Sequence, residues 1–361
     1  MERQSIPAIY VLTAQGLELG LRLRVALDGV CFAPRALAEG TGSGVRGFDS
    51  LPLLVKEQFG GFGQHIFIAA TGIVVRCVAP LLAHKAVDPA VLALDHKGEF
   101  VISLLSGHLG GANALARQVA AITGGRAVIT TATDTEGLPA VDLLALRAGL
   151  HVRNPAAIRA ANAALLAGKQ VGLHDPEGWL WPRLTEPERE YFNILADAAT
   201  LAAFCVAEPQ APYVWVTFSA AAPSDNCLAL IPPALCLGVG CRKGVAAKEV
   251  LDLVHQVCAE NDLALEAVNC LASVDIKAEE AGLVEAAHSL GLPLRTFSAE
   301  ELAVYPPSQV SPKPEAALGL PGVCEPAARC AAGGGPLLVG KQTLGRVTLA
   351  VAKQASDLGG E

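Results

Sequence analysis

The chain has 361 residues, 52% of them hydrophobic and 17% charged, with a net charge of −8. That much apolar material excludes general disorder, and the acidic balance leaves no surplus positive charge for phosphates, so nucleic acid is not an expected partner. At about 150 residues per domain the length suggests two or three units, and three are expected, over 1–137, 138–232 and 233–361.

In chain order, Ala8 to Leu12 alternates as a strand and a helix follows from Gly16. Ile66 to Ala70 reads as a strand, with a helix near Ile73 to Leu82. Ala90 to Leu94, Phe100 to Leu104 and Ala127 to Thr130 supply further short apolar runs. Leu115, Val119 and Ile122 recur at helical spacing, so another helix starts near Gly111. Strands alternating with helices predict an α/β fold, with a mostly parallel N-terminal sheet, helices on both faces and ligands at strand carboxyl ends. Both polar loops, Thr71-Gly72 and Ser106 to Asn113, fall at such ends.

From 138 to 232 the pattern weakens, with Ala-rich helical material, Pro176, Pro182 and Pro187 among charges, and one strand at Tyr213 to Phe218. A small, variable middle α/β domain is expected, in which Trp179, Trp181 and Trp215 suit packing or a patch over a ligand. The C-terminal α/β domain opens with a strand at Ala234 to Val239 and a turn through Gly240-Cys241-Arg242-Lys243-Gly244. A helix bearing Leu251, Val254 and Cys258 on one face comes next. Gly291 stops one helix and the capping box Ser298-Ala299-Glu300-Glu301 starts another. Pro306 to Pro314 predicts a mobile surface loop, and Leu337 to Val339 with Arg346 to Val351 a closing hairpin.

Arg76, Arg117 and Pro232-Pro233 interrupt the richest apolar runs before they reach the roughly 18 residues of a membrane span. The opening residues lack the basic and long apolar regions of a secretion signal, so a cytoplasmic chain with no membrane partner is expected. Ten dispersed cysteines without a C-x-x-C pair predict buried reduced thiols and no zinc site.

His108 lies in a glycine loop beside a helix N-terminus. Imidazole titrates near neutral pH and suits a general base, and the loop amides suit an oxyanion; equally, the ring reads as a structural bridge across the loop. Ser106 lacks the G-x-S-x-G elbow of a nucleophile, which favours a substrate-binding hydroxyl. Asp134, ending Thr130-Thr131-Ala132-Thr133-Asp134, suits orientation of His108 or a helix cap, and Glu325 suits the positive end of a helix. Gly335 to Lys341 has P-loop spacing but no hydroxyl residue after the lysine, and Gly238 to Gly244 has its third glycine one residue late for a dinucleotide fingerprint. The latter turn suits a carboxylate held by Arg242, Lys243 and free N–H groups.

Ala70-Thr71-Gly72-Ile73-Val74-Val75-Arg76, Lys85, Asp88-Pro89-Ala90-Val91, Ser103 to Asn113 and Thr130 to Asp134, in that order, resemble the cobalt-precorrin-5A hydrolase family of cobalamin biosynthesis. Leu237 to Arg242, Ser273 to Lys277, Val323-Cys324-Glu325 and Lys341 resemble that family's last domain. The resemblance implies a hydrolase of the anaerobic vitamin B12 pathway that opens the ring A δ-lactone of cobalt-precorrin-5A and releases acetaldehyde, giving cobalt-precorrin-5B. It implies that His108 activates water, that amides around Gly110 and Gly111 face the oxyanion, and that Asp134 or Glu325 handles the second proton. Substrate contacts are implied from Thr71, Gly72, Arg76, Ser106, Gly107, Gly110, Gly111, Asn113, Gly240, Arg242, Lys277 and Lys341, in a cleft between N- and C-terminal domains. Cobalt arrives inside the macrocycle, so no cofactor or metal site of the protein's own is implied. The expected partner is the tetrapyrrole substrate, with a second copy of the chain or other enzymes of the pathway left open. A tetrapyrrole carrier without catalysis is the rival reading, and a nucleotide-dependent α/β enzyme comes last.

Overall fold

Short runs of three to six residues form the strands of the first unit, and apolar residues at 3.6-residue spacing mark its longer helices. The structure, a computed structural model, describes residue 4 and residues 6–39, 41, 44–83, 87–108, 110–308 and 321–354. Lys85, Leu109 and the 309–314 part of the Pro-rich segment lie outside the described residues. The chain divides into two units, 1–143 and 144–361.

In the first unit β1 (Ala8–Val11), α1 (Ala14–Ala26), β2 (Val30–Pro34), α2 (Arg35–Ala38), β3 (Val45–Phe48) and α3 (Leu51–Gln58) come first. There follow β4 (Gln64–Ile68), α4 (Thr71–Val78), β5 (Ala90–Leu94), β6 (Phe100–Leu105), α5 (Ala112–Thr123), β7 (Arg126–Val128) and α6 (Ala132–Thr135). Helix α7 (Val141–Arg147) carries the chain across the boundary. The sheet order is β3-β2-β1-β4-β5-β6-β7, parallel from β3 to β5. β6 then runs antiparallel to β5, pairing Val91 with Leu105 and Leu94 with Val101, and β7 is parallel to β6.

Side chains alternate across this sheet and give it two apolar faces. Ile9, Val11, Ile66, Ile68, Leu92 and Leu94 pack on Leu19 and Leu23 of α1 and on Leu115 and Val119 of α5. Tyr10, Phe67, Val91 and Ala93 face Val55 of α3 and Val74, Cys77 and Val78 of α4. Helices on both faces of a mostly parallel sheet match the expected α/β class. Periodicity did not predict β2 or β3, because one ends in proline and the other exposes Arg46 and Gly47.

The second unit holds two five-stranded sheets. The first comprises β8 (His151–Val152), β9 (Val171–His174), β10 (Phe192–Ile194), β11 (Tyr213–Val216) and β12 (Cys227–Ile231), in the order β10-β9-β11-β12-β8. Its helices are α8 (Ile158–Leu166), α9 (Glu186–Arg189) and α10 (Ala198–Ala207). The second sheet comprises β13 (Leu235–Cys241), β14 (Val268–Val274), β15 (Leu294–Phe297), β16 (Leu337–Leu344) and β17 (Val347–Lys353), in the order β15-β14-β13-β17-β16. Helices α11 (Ala247–Glu260), α12 (Ala281–Ser289), α13 (Ala299–Ala303) and α14 (Cys324–Ala331) accompany it. Core residues of α11 and α12 cover one face and those of α14 the other. The capping box at Ser298, the left-handed Gly291 after α12 and the closing hairpin β16–β17 are as expected. No helix among the described residues is long and apolar enough to cross a membrane.

Candidate active site

β6 delivers the chain into the turn 106–111, and α5 opens at Gly111, whose φ is 84°. The loop's own carbonyls cap the helix. Ala112 N–H donates to Ser106 O at 3.1 Å, Asn113 N–H to Gly107 O at 3.0 Å and Gly111 N–H to His108 O at 2.8 Å. The amide of Gly111, expected to face an oxyanion, is therefore already donated within the loop. Gly110 sits where an added Cβ would lie 2.3 Å from Ser106 Cβ, so this turn closes only with glycine there. Ser106 itself has φ 58°, and its hydroxyl is buried without a partner among the described residues.

The loops after β6 and β7 converge on His108. Its Nε2 lies 3.1 Å from Asp134 Oδ2 and 3.3 Å from the Thr133 hydroxyl, and its Nδ1 lies 3.2 Å from Asp142 Oδ2. A ring with a carboxylate at each nitrogen donates from both, which is the protonated form. The hydrogen bond to Asp142 leads the causes that raise the His108 pKa above its ordinary 6.5; burial opposes it and Asp134 adds to it. For Asp134, burial would raise the carboxyl. Arg117 at 2.5 Å and His108 outweigh burial and hold it below the usual carboxylate range. Buried Asn113 organises the rest: it donates to Asp134 Oδ2 at 2.8 Å and to Thr131 Oγ1 at 3.0 Å, and accepts from Ser103 at 2.6 Å.

Arg117, Thr133 and Asp142 escaped the sequence reading. Arg117 stands four residues after Asn113 on one face of α5, a spacing that in retrospect marks it. Asp142 carries no such signal, because an acidic residue in a first helical turn is ordinary complement to the dipole.

Thr71 and Gly72 do not join this cluster. They follow β4, at the rim marked by Leu94, whereas the 106–111 turn follows β6, at the rim marked by Val91. Each loop lies at the carboxyl end of its own strand, but β6 is reversed, so the two occupy opposite rims, separated by roughly 10 Å of β5 at about 3.3 Å per residue. Arg76 is exposed on α4 and donates to Gly72 O at 3.0 Å.

In the second unit Glu325 is buried, and its carboxylate accepts from Ser308 N–H at 2.5 Å, the Ser308 hydroxyl at 2.7 Å and Lys341 N–H at 2.9 Å. Burial would raise its pKa, but these donors hold it below the usual range. Lys277 is bound to Glu280 at 2.8 Å, and the same carboxylate accepts from Gly244 N–H at 2.7 Å. The turn expected to hold a carboxylate thus already holds one of the chain's own. Gly240 lies within β13 rather than in that turn, and Arg242 and Lys243 are exposed just beyond it. A cavity of about 780 Å³ lined by Ala163, Lys169, Asn193, Phe204 and Glu208 contains none of the predicted site residues. Among the described residues no three His, Cys, Asp or Glu side chains are grouped as metal ligands.

Residues 53–134 match the family described as Cobalamin synthesis G N-terminal, residues 139–232 the Cobalamin biosynthesis central region and residues 235–352 the Cobalamin synthesis G C-terminus. A cobalt-precorrin-5A hydrolase of Priestia megaterium is 31% identical over 311 residues, covering 84% of this chain and 82% of that protein. One from Salmonella typhimurium is 34% identical over 313 residues, covering 82% and 83%. A crystal structure of a cobalamin biosynthesis protein G homolog from Sulfolobus solfataricus is 21% identical, with TM-score 0.36, over 96% of this chain and 97% of that one. Matched by these three segments between residues 53 and 352, and by relatives 31% and 34% identical over more than four-fifths of its length, the chain belongs to the cobalt-precorrin-5A hydrolase family of cobalamin synthesis.

Proposed function

We propose that this chain hydrolyses the ring A δ-lactone of cobalt-precorrin-5A and then fragments a C–C bond to release acetaldehyde. Two relatives that bear this activity in their names, each at least 31% identical over more than four-fifths of both chains, carry the reading. The geometry that supports it is the imidazole between two carboxylates on the most distinctive loop of the sequence.

In the first step water adds to the lactone carbonyl, the ring C–O bond breaks and the departing oxygen takes a proton. In the second the hydroxyl loses its proton, the C–C electron pair stays with the macrocycle, which is then protonated, and acetaldehyde leaves. Both steps need one group that takes a proton and one that gives it. His108, held as a cation, is placed to give one, and Asp134, held ionised, to receive one, so the pair works with a shared proton rather than as isolated acid and base. Gly110 N–H, which has no carbonyl partner among the described residues, serves the oxyanion in place of Gly111. Glu325, with both oxygens engaged, acts by holding the 308 and 341 segments together rather than by moving protons. The Ser106 hydroxyl beside His108 is the proposed substrate contact; Thr71, Gly72 and Arg76 follow β4 at the opposite rim and are not proposed with it. The cobalt belongs to the substrate.

The test is acetaldehyde release by the purified chain given cobalt-precorrin-5A. His108→Ala should abolish release while leaving tetrapyrrole binding within about tenfold, roughly 1.4 kcal/mol. Binding without release by the unaltered protein would select the carrier reading instead.

A further inference from the structure

The two carboxylates that flank His108 are not equivalent. Asp134 is shared with Arg117 and Asn113 and its side chain is 10% exposed, whereas Asp142, in the first turn of α7, is 4% exposed. Nδ1 therefore points to the deeper carboxylate, and Nε2 points to the more open one beside the Thr133 hydroxyl. The ring itself is 16% exposed, more than either carboxylate.

We infer that Asp142 is a positioning residue for His108: it binds Nδ1–H, fixes the orientation of the ring and reserves Nε2 as the nitrogen that exchanges a proton. What that proton accomplishes rests on the hydrolase reading above; the contact itself does not. An imidazole anchored at one nitrogen by a buried carboxylate cannot turn over or exchange tautomers freely, so its other nitrogen meets a substrate in one orientation. The charged groups that the described residues bring to the ring are Asp134 from α6, Asp142 from α7 and, through Asp134, Arg117 from α5. With His108 protonated these are two negative and two positive charges. Removing Asp142's charge leaves an excess of positive charge and deprives the ring of its leading stabilisation as a cation.

The experiment is Asp142→Asn in the full chain, read by NMR titration of His108 without substrate and by the pH dependence of acetaldehyde release. In the unaltered protein the ring keeps Nδ1–H and titrates above 6.5. In Asp142→Asn the midpoint moves down by about one pH unit, the kcat profile moves with it, and kcat falls by about a hundredfold or more, while KM stays within about threefold. Asp142→Glu restores part of kcat. An unmoved His108 titration, or an unmoved kcat profile, would make Asp142 merely structural. Should Asp142→Asn fail to fold, nitrogen shifts of His108 in the unaltered chain decide: a bare Nδ1 at neutral pH overturns the assignment. If the unaltered chain releases no acetaldehyde, the hydrolase reading fails while the titration still judges Asp142.

Discussion

Ser106 is held at φ 58° with a buried hydroxyl that has no partner among the described residues. The left-handed conformation costs a residue with a Cβ about 1–2 kcal/mol, and an unsatisfied buried hydroxyl adds about 1–3 kcal/mol. A Cβ at Gly110 would lie 2.3 Å from the Ser106 Cβ, so the turn has no room for a side chain there. A serine kept under two penalties fits a role in substrate binding better than a role in stability. Ser106→Gly should therefore stabilise the first unit by about 1 kcal/mol, net of glycine's own entropic cost, and should weaken tetrapyrrole binding and turnover. Thermal unfolding beside acetaldehyde assays checks both; a less stable variant with full activity would remove Ser106 from the site. Glu325 is the opposite case, a buried charge whose oxygens are supplied with donors, and its value lies in the segments it joins.

At the scale of elements, the close approach of α14 to β13 decides whether Glu325 is in place. A Cβ on Gly238 would lie 1.9 Å from Cys324 O and 2.4 Å from Ala328 N, both backbone atoms that can yield only if the helix moves. Gly238→Ala is expected to cost at least the 1–3 kcal/mol typical of overpacking, roughly, and to lower the Tm of the second unit; an unchanged Tm would show that α14 shifts freely. The strand β13 and the glycine run were readable in the sequence, but the reason for the glycines was not, since only the fold brings Cys324 over them. The same holds for β6. Phe100 to Leu104 announces a strand, yet nothing in its apolar pattern states its direction, and direction alone puts Thr71 and His108 on opposite rims. The β6 turn and the loop after β7 were legible because glycines, a histidine and an aspartate are conspicuous there; Asp142 was not, because its meaning comes from a ring 34 positions earlier. Short strands of the middle sheet, such as β8 and β10, have two or three residues and leave no period to detect.

The whole molecule carries its titrating groups unevenly, and this gives its two units different responses to pH. In the second unit the shifted carboxyls of Glu188, Glu280 and Glu325 all lie below their ordinary 4.5. A depressed carboxyl stabilises the fold above its unfolded pKa, and that stabilisation is lost as pH falls through the folded value. Asp134 gives the first unit the same acid sensitivity. His108 adds a term of opposite sign: its folded pKa is raised, so its stabilisation is complete below 6.5 and disappears as pH rises through the folded value. Mild alkalinity should thus weaken the His108 cluster without touching the shifted carboxyls of the second unit. Scanning calorimetry of the full chain and of His108→Gln, at about pH 6 and about pH 8, isolates the effect, because the substitution removes the titrating imidazole itself. The first unit's Tm should exceed that of His108→Gln clearly at the lower pH and by less at the higher one, with the second unit's transition equal in both. A gap that stays constant or widens between those values would mean that the ring does not rest as a cation between Asp134 and Asp142.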